Sequence, residues 1–171
     1  MQTKTKENKV VPGKNGQCKV SIWNNWILQK DMISEEKTGE INSDGFDLFI
    51  DRVHKRIIVR LANGKSCKFI GPIKKIEGRP LGLLMKLLKR PGKFMTPYEI
   101  GYIGDYIESY FINDNIQQYV RKLRKYLFKK KKACKPRFIR TNHQPYSIAF
   151  NGDLSFCLIE QDGDCSTDPF L

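Results

Sequence analysis

Apolar residues in the middle of the chain recur at helical spacing in three blocks. In the first block, Leu81, Leu84 and Leu88 fall on one side of a helix, and Pro80 suits its first turn. The second block starts at Thr96-Pro-Tyr-Glu99, where the threonine hydroxyl and the glutamate carboxylate have the spacing of a capping box. The pattern therefore predicts one helix that begins at Pro80 and a short one that begins at Thr96.

The third block predicts an amphipathic helix over about residues 114–128. Ile116, Val120, Leu123 and Leu127 form one apolar stripe along it. At about 100° per residue, the opposite face and its shoulder carry only polar and basic side chains. These are Gln117, Gln118, Arg121, Lys122, Arg124 and Lys125, with Gln117 and Arg124 on the shoulder.

Other segments alternate as strands do. Residues 46–73 predict a small antiparallel sheet with a turn at Asn63-Gly64, and residues 137–150 predict a basic β-hairpin. Val20 to Leu28 fits either a strand or a short helix, and residues 31–45 have the composition of a linker. Residues 1–17 are polar enough to predict disorder.

Charge is distributed unevenly over the 171 residues, a length that suits one domain with extensions. The chain has 31 Lys and Arg against 18 Asp and Glu, a net charge of +13. Residues 46–150 hold 24 basic and seven acidic residues, whereas residues 151–171 hold five acids and no base. Between Asn115 and Arg140 there are eleven basic residues and no acid. Such an excess predicts a polyanionic partner, because like charges repel unless something offsets them.

The acidic segment after residue 150 has two interpretations. A flexible tail with five acids would compete with DNA for the basic helix. Alternatively, Phe156, Leu158 and Ile159 form an added strand, and the acids are simply solvated.

Several classes of function are not expected. No apolar run is long enough for a transmembrane helix, and no apolar segment follows the basic N-terminus as in a secretory signal. Five cysteines without a C-x-x-C pair predict a reducing cytoplasm rather than a disulfide framework or a zinc site. No phosphate-binding loop or catalytic set occurs, and His54 and His143 lie in segments predicted to be exposed. We therefore expect no enzyme activity, no cofactor and no metal.

The order of elements in residues 46–150 resembles the DNA-binding effector domain of OmpR/PhoB-type response regulators. Tyr119-Val-Arg-Lys-Leu-Arg-Lys-Tyr-Leu127 is similar to the recognition helix of that family. Leu84 to Thr96 resembles its first helix and following turn, and Ile139-Arg-Thr141 with Tyr146 resembles its C-terminal hairpin, the wing. The resemblance implies an α+β fold, a winged helix-turn-helix with an N-terminal antiparallel sheet, three helices and a β-hairpin wing. Residues 1–45 would then be an extension and residues 151–171 an acidic tail.

The chain also departs from the family pattern. The predicted wing lacks both family glycines, and His143 stands in place of its usual arginine. Residues 1–45 are too few for the family's receiver domain, so control by phosphorylation is not expected within this chain.

The resemblance implies a bacterial, cytoplasmic, sequence-specific DNA-binding regulator of transcription, related to phosphorelay proteins. Its recognition helix would enter the major groove, and the wing, residues 137–150, would lie beside it. Further partners would be RNA polymerase, through the loop at 105–113, and a second copy of the chain on DNA, but no membrane. The candidate DNA contacts are Gln117, Gln118, Arg121, Lys122, Arg124, Lys125, Lys129, Lys130, Arg137, Arg140, Thr141 and His143.

Two other functions remain open. A module of the same shape can bind an acidic protein instead of DNA, and the altered wing is compatible with that. An RNA- or ribosome-associated role is less favoured, because the sequence has no aromatic stacking motif of the RRM kind.

Overall fold

A six-stranded mixed sheet is the largest element of the computed structural model. The structure describes residues 16–60, 66–68, 78–101, 113–126 and 138–162. The strands are β1 Gln17–Asn24, β2 Ile27–Ser34, β3 Leu48–Asp51, β4 Arg56–Arg60, β5 Ser66–Lys68, β6 Ile139–His143, β7 Tyr146–Phe150 and β8 Phe156–Gln161. The helices are α1 Glu35–Thr38, α2 Arg79–Lys89, α3 Pro97–Gly101 and α4 Asn113–Tyr126, with a 3-10 turn at Ser43–Gly45.

The strand from the C-terminal segment lies inside the main sheet. The order is β2-β1-β8-β3-β4-β5, so β8 separates the N-terminal hairpin from β3. It is antiparallel to β1, with Val20 opposite Ile159, and parallel to β3, with Ile50 opposite Leu158. Every other pair in this sheet is antiparallel among the described residues. The sheet is therefore mixed, and its centre joins segments more than one hundred residues apart.

Both faces of the sheet are covered. Successive side chains of a strand point to opposite faces, so β3 and β8 each supply residues to two cores. Ile50 and Leu158 join the main core with α2, α4 and the second sheet. Phe49, Cys157 and Ile159 belong to a smaller core on the other face. Ile41 and Phe46, from the segment between β2 and β3, pack against that smaller core.

The helices form a layer on the main-core face. α2 is buried along nearly its whole length, since it lies between the sheet and α4. α3 begins with the predicted capping box: the Thr96 amide donates to Glu99 Oε2 at 2.8 Å, and the Glu99 amide donates to Thr96 Oγ1 at 3.3 Å. The hydrogen bond that the Thr96 backbone amide donates to Glu99 lowers the pKa of that carboxyl group. The nearby cations Lys93 and Arg90 act in the same direction, and together these effects outweigh desolvation.

A second, two-stranded sheet is formed by β6 and β7. Backbone hydrogen bonds connect it to the turn before α3. The Met95 amide donates to the Ile148 carbonyl oxygen at 2.9 Å, and the Ile148 amide donates to the Met95 carbonyl oxygen at 3.0 Å. At its base the Asn151 amide donates to the Phe138 carbonyl at 2.8 Å. Ile148 lies opposite Thr141, so the bonds with Met95 hold the middle of β7 beside the helical layer, and the turn at residues 144–145 lies at the opposite end of the hairpin from Asn151.

The winged helix-turn-helix prediction is wrong. The described residues contain a six-stranded mixed sheet, a two-stranded sheet and four α-helices, not an antiparallel N-terminal sheet with three helices and a wing. The physical reason is that apolar strands outside residues 46–150 complete the main sheet, with β8 parallel to β3. The predicted boundaries at residues 46 and 150 therefore do not coincide with a break in the sheet.

Three smaller predictions are settled by the same elements. Residues 31–45 are not a linker, because they contain the end of β2, α1 and the 3-10 turn. Val20 to Leu28 is strand rather than helix, and it belongs to β1 and β2. The added-strand interpretation of the C-terminal segment is confirmed, since Phe156, Leu158 and Ile159 all lie in β8.

Two tryptophans attach the β1–β2 hairpin to the rest of the chain. Trp23 Nε1 donates to the Gly152 carbonyl at 3.0 Å, and the Trp23 and Trp26 rings meet edge to face at 5.8 Å between centroids. The Trp26 ring covers Gly92 and Gly152 so closely that a Cβ on either glycine would overlap it. Gly92 also has φ of +78°, a region that other residues rarely adopt.

Phe156→Ala should destabilise the protein by about 3–5 kcal/mol, because it empties a fully buried position in the central strand. Ile27→Ala is the matched control, since Ile27 is 60% exposed on the edge strand β2. It should change the free energy of unfolding by no more than about 0.5 kcal/mol. Urea unfolding of both variants measures this, and equal losses would contradict a central position for β8.

Gly92→Ala should destabilise the protein by more than about 1 kcal/mol, since the methyl group meets the Trp26 ring and the backbone there is left-handed. Displacement of the ring should also shift tryptophan emission to longer wavelength. Gly39→Ala is the control, because nothing lies within 4 Å of its added Cβ. A Gly92→Ala protein as stable as Gly39→Ala, with unchanged emission, would contradict the tryptophan contact.

Candidate nucleic-acid interface

One face of α4 is anchored in the main core. Ile116, Val120 and Leu123 are at most 2% exposed, and Tyr119 is also buried. These residues pack with the leucines of α2 in one apolar cluster. The orientation of the helix about its own axis is thereby fixed, and the opposite face is turned to solvent.

The solvent face of α4 is basic. Gln118, Arg121, Lys122 and Lys125 are exposed, at helical spacing of three and four residues, and Gln117 is half-buried at the edge of this face. The one acid of α4 is Asp114 in its first turn, and no acidic residue follows it in the helix. The Lys125 ammonium lies 5.2 Å from the centroid of the Tyr126 ring. We call this set, Gln118, Arg121, Lys122 and Lys125, the basic face.

Arg124 is used differently from its neighbours. Its Nη2 donates to the carbonyl oxygen of Ile139 and to Oγ1 of Thr141, both at 3.1 Å. These acceptors lie two residues apart on β6, so the guanidinium links α4 to the hairpin. Arg124 and Thr141, both predicted as DNA contacts, are therefore hydrogen-bonded to each other in the structure.

Tyr146 lies at the same junction. Its partial burial raises the pKa of the phenol, while the positive charges of Arg124 and Arg121 act in the opposite direction. The Arg124 bonds to β6 place the hairpin beside the edge of the basic face.

The remaining predicted contacts on the hairpin are split. Arg140 Nη2 forms an ion pair with Asp153 Oδ2 at 2.7 Å, in which both side chains are about half-exposed. His143 is exposed beside the turn. Lys129, Lys130 and Arg137 lie outside the described residues, as does the predicted polymerase-binding loop except for its last residue, Asn113.

Sequence reasoning missed three features of this surface. It did not predict the bonds from Arg124 to β6 or the ion pair of Arg140 with Asp153, and it assigned no role to Tyr146 beside the arginines. The shoulder position of Arg124 was a usable signal, because a side chain at the edge of the polar face is the one that reaches a neighbouring element. The pairing of Arg140 with Asp153 depends on how the chain turns after β7, and the pattern of apolar and polar residues does not predict that turn.

A second ionic cluster lies at the β3–β4 turn. The buried Asp51 carboxylate accepts from the His54 amide at 3.0 Å and from Arg56 Nη2 at 2.9 Å, and it lies 2.8 Å from His54 Nδ1. Burial by itself would raise the pKa of Asp51, but these hydrogen bonds together lower it. The carboxylate is fully engaged in closing the turn, so the cluster is structural.

Other reactive groups in the described residues offer no alternative site. Burial raises the pKa of the Cys157 thiol to about 12, and Asp51 adds to that effect, so the thiol stays protonated at neutral pH. The part of the chain that the structure describes contains no group of three or more His, Cys, Asp or Glu that could hold a metal. No helix within the described ranges is long and apolar enough to cross a membrane.

Asp51→Asn should cost about 1–3 kcal/mol at pH 7, because the variant loses charged hydrogen bonds in a buried place. The folded pKa is lowered, so the contribution of Asp51 is present above the unfolded pKa of about 3.9 and is lost as pH falls through the folded value. The stability gap between wild type and variant should therefore narrow from pH 7 to pH 3 in urea unfolding. Asp44→Asn, at an exposed carboxylate, is the control, and a gap that stays constant with pH would contradict the assignment.

No family model, no curated protein and no solved structure matches the chain. The resemblance to OmpR/PhoB-type effector domains therefore stays a prediction from residue pattern.

Proposed function

We propose that the chain binds double-stranded DNA through the basic face of α4 and the adjoining β6–β7 hairpin, as a sequence-specific regulator of transcription. The observation that carries this proposal is the basic face: a helix anchored by buried apolar residues exposes Gln118, Arg121, Lys122 and Lys125, with no acid in the helix after its first turn. Most surface helices mix both signs of charge, because unopposed cations destabilise a folded chain. A polyanion is the partner that offsets this cost.

The dimensions of α4 suit a duplex groove. Its 14 residues span roughly 21 Å, and a helix with side chains is about 10–12 Å across. The major groove of B-DNA is about 12 Å wide, whereas the deep, narrow major groove of RNA does not admit a helix. Double-stranded DNA is therefore favoured over double-stranded RNA.

The residue types on the basic face support recognition of bases in addition to phosphates. Arginine can donate two hydrogen bonds to guanine, and glutamine can pair with adenine in the major groove. Arg121 lies between Gln118 and Lys125 along the helix, about one turn from each, on the side of the face that is nearer to Arg124. Phosphate contacts then belong to the lysines, since they carry charge without a fixed bonding pattern.

A DNA partner also requires a compartment that holds DNA. This agrees with the cytoplasm predicted from the cysteine pattern. The two buried cysteines among the described residues, Cys18 and Cys157, are free thiols, as a reducing compartment permits.

The test is a selection of bound duplexes from a random-sequence library, followed by titration of the selected and a scrambled duplex over a salt series. Wild type should prefer the selected duplex, and binding of both should weaken as salt rises, because counterions are released from phosphates. Equal affinity for both duplexes at every salt concentration would overturn sequence-specific recognition. Absence of any duplex binding at low salt, with co-purification of an acidic protein, would favour the protein-binding alternative.

Arg121→Ala should weaken the selected duplex by about 1–3 kcal/mol and relax preference at one or two base pairs. Lys30→Ala removes the same charge from the exposed edge strand β2, outside the proposed interface. It should affect both duplexes alike and only slightly, through the overall field. If Arg121→Ala weakens the selected and scrambled duplexes equally, Arg121 does not contact bases.

A further inference from the structure

The two edges of the hairpin have different neighbours, since β7 bonds to the segment before α3 and the β6 edge faces α4. Among the described residues β6 pairs only with β7, so some of its backbone groups have no ladder partner. Arg124 Nη2 donates a hydrogen bond to one of these groups, the Ile139 carbonyl oxygen, and another to Thr141 Oγ1, both at 3.1 Å. One side chain of α4 thus bonds to two residues on the outer edge of β6.

Thr141 is the Arg124 acceptor nearest the hairpin tip. It is half-buried, whereas Asn142 and His143 beyond it are exposed. The β7 edge of the hairpin is held independently, by backbone hydrogen bonds between Met95 and Ile148, the residue opposite Thr141. Loss of the Arg124 contact would therefore release the β6 edge, which faces α4, and the exposed tip beyond it, and leave the β7 edge in place.

We propose that Arg124 is a positioning residue, which fixes the angle between the hairpin and α4 so that both meet the duplex as one rigid surface. This inference rests on the proposed function and adds to it the residue that sets sequence preference without contacting DNA. A rigid surface loses less entropy on binding a duplex that fits it, and it tolerates misfitting sequences less well. Loss of the Arg124 contact should therefore lower the preference for the selected duplex over the scrambled duplex more than it lowers the affinity for random DNA.

Two variants separate positioning from direct contact. Arg124→Lys keeps the positive charge but replaces the planar guanidinium, which bonds both acceptors, by a flexible ammonium. Thr141→Val removes one acceptor, keeps the shape of the side chain and leaves Arg124 in place. Arg60→Lys on β4, in the other sheet, is the control for the change of arginine to lysine.

Hydrogen exchange without DNA tests the contact itself. The amides of Asn142, His143 and Gln144 should exchange roughly threefold to tenfold faster in Arg124→Lys and in Thr141→Val, as expected for loss of one hydrogen bond. The amides of α4 and the Arg60→Lys protein should be unchanged. Unchanged exchange at the hairpin tip in both variants would overturn the positioning role.

Binding of the selected and scrambled duplexes then tests the consequence. In both variants the preference for the selected duplex should fall by roughly threefold to tenfold. The double variant should be no worse than either single one, and the dependence on salt should stay the same, because no phosphate contact is lost. A loss of preference in Arg124→Lys but not in Thr141→Val would mean that Arg124 contacts DNA directly, which overturns the proposal. If wild type bound no duplex, the specificity role would fall with the proposed function, while the exchange result would still decide whether Arg124 fixes the hairpin.

Discussion

Insertion of β8 between β1 and β3 is the constraint on which the rest of the structure depends. Without it, the N-terminal hairpin and the β3–β4–β5 sheet have no shared hydrogen bonds among the described residues. Phe156 and Leu158 supply one face of the sheet, while Cys157 and Ile159 supply the other. A single strand thus contributes to both cores, and its two partner strands precede it by more than one hundred residues.

The helical layer depends on that sheet. α2 is buried because the sheet lies on one side of it and α4 on the other, so α4 is the outermost element of the stack. An outer helix buries one stripe and exposes the remainder, and its sequence follows that rule closely from Ile116 to Lys125. The basic face is consequently a rigid surface of the fold, held at its back by the core and at its edge by Arg124.

Sequence reasoning succeeded where a structure is set by neighbours a few residues apart. The capping box at Thr96, the apolar stripe of α4 from Ile116 to Leu123 and the β6–β7 hairpin are of this kind, and each is confirmed. The last residue of the predicted stripe, Leu127, lies outside the described residues. Sequence reasoning failed at the sheet, because the partners of β8 are set by burial across more than one hundred residues. The short apolar run from Phe156 to Ile159 predicts a strand. Its sequence does not indicate that the strand has a neighbour on each side and a core on each face.

The acids of the C-terminal segment bear on how much positive charge remains for a partner. Glu160 pairs with Arg52 at 2.8 Å, and Asp153 pairs with Arg140, so two of these acids are matched to cations away from α4. The charge of the basic face is therefore not offset by those two carboxylates. Arg140 is the cation on the hairpin whose field is reduced, since its ion pair lies at the surface and is also screened by salt. Among the described residues of the two elements, α4 thus exposes three cations on the basic face, whereas the one arginine of the hairpin is paired with an acid.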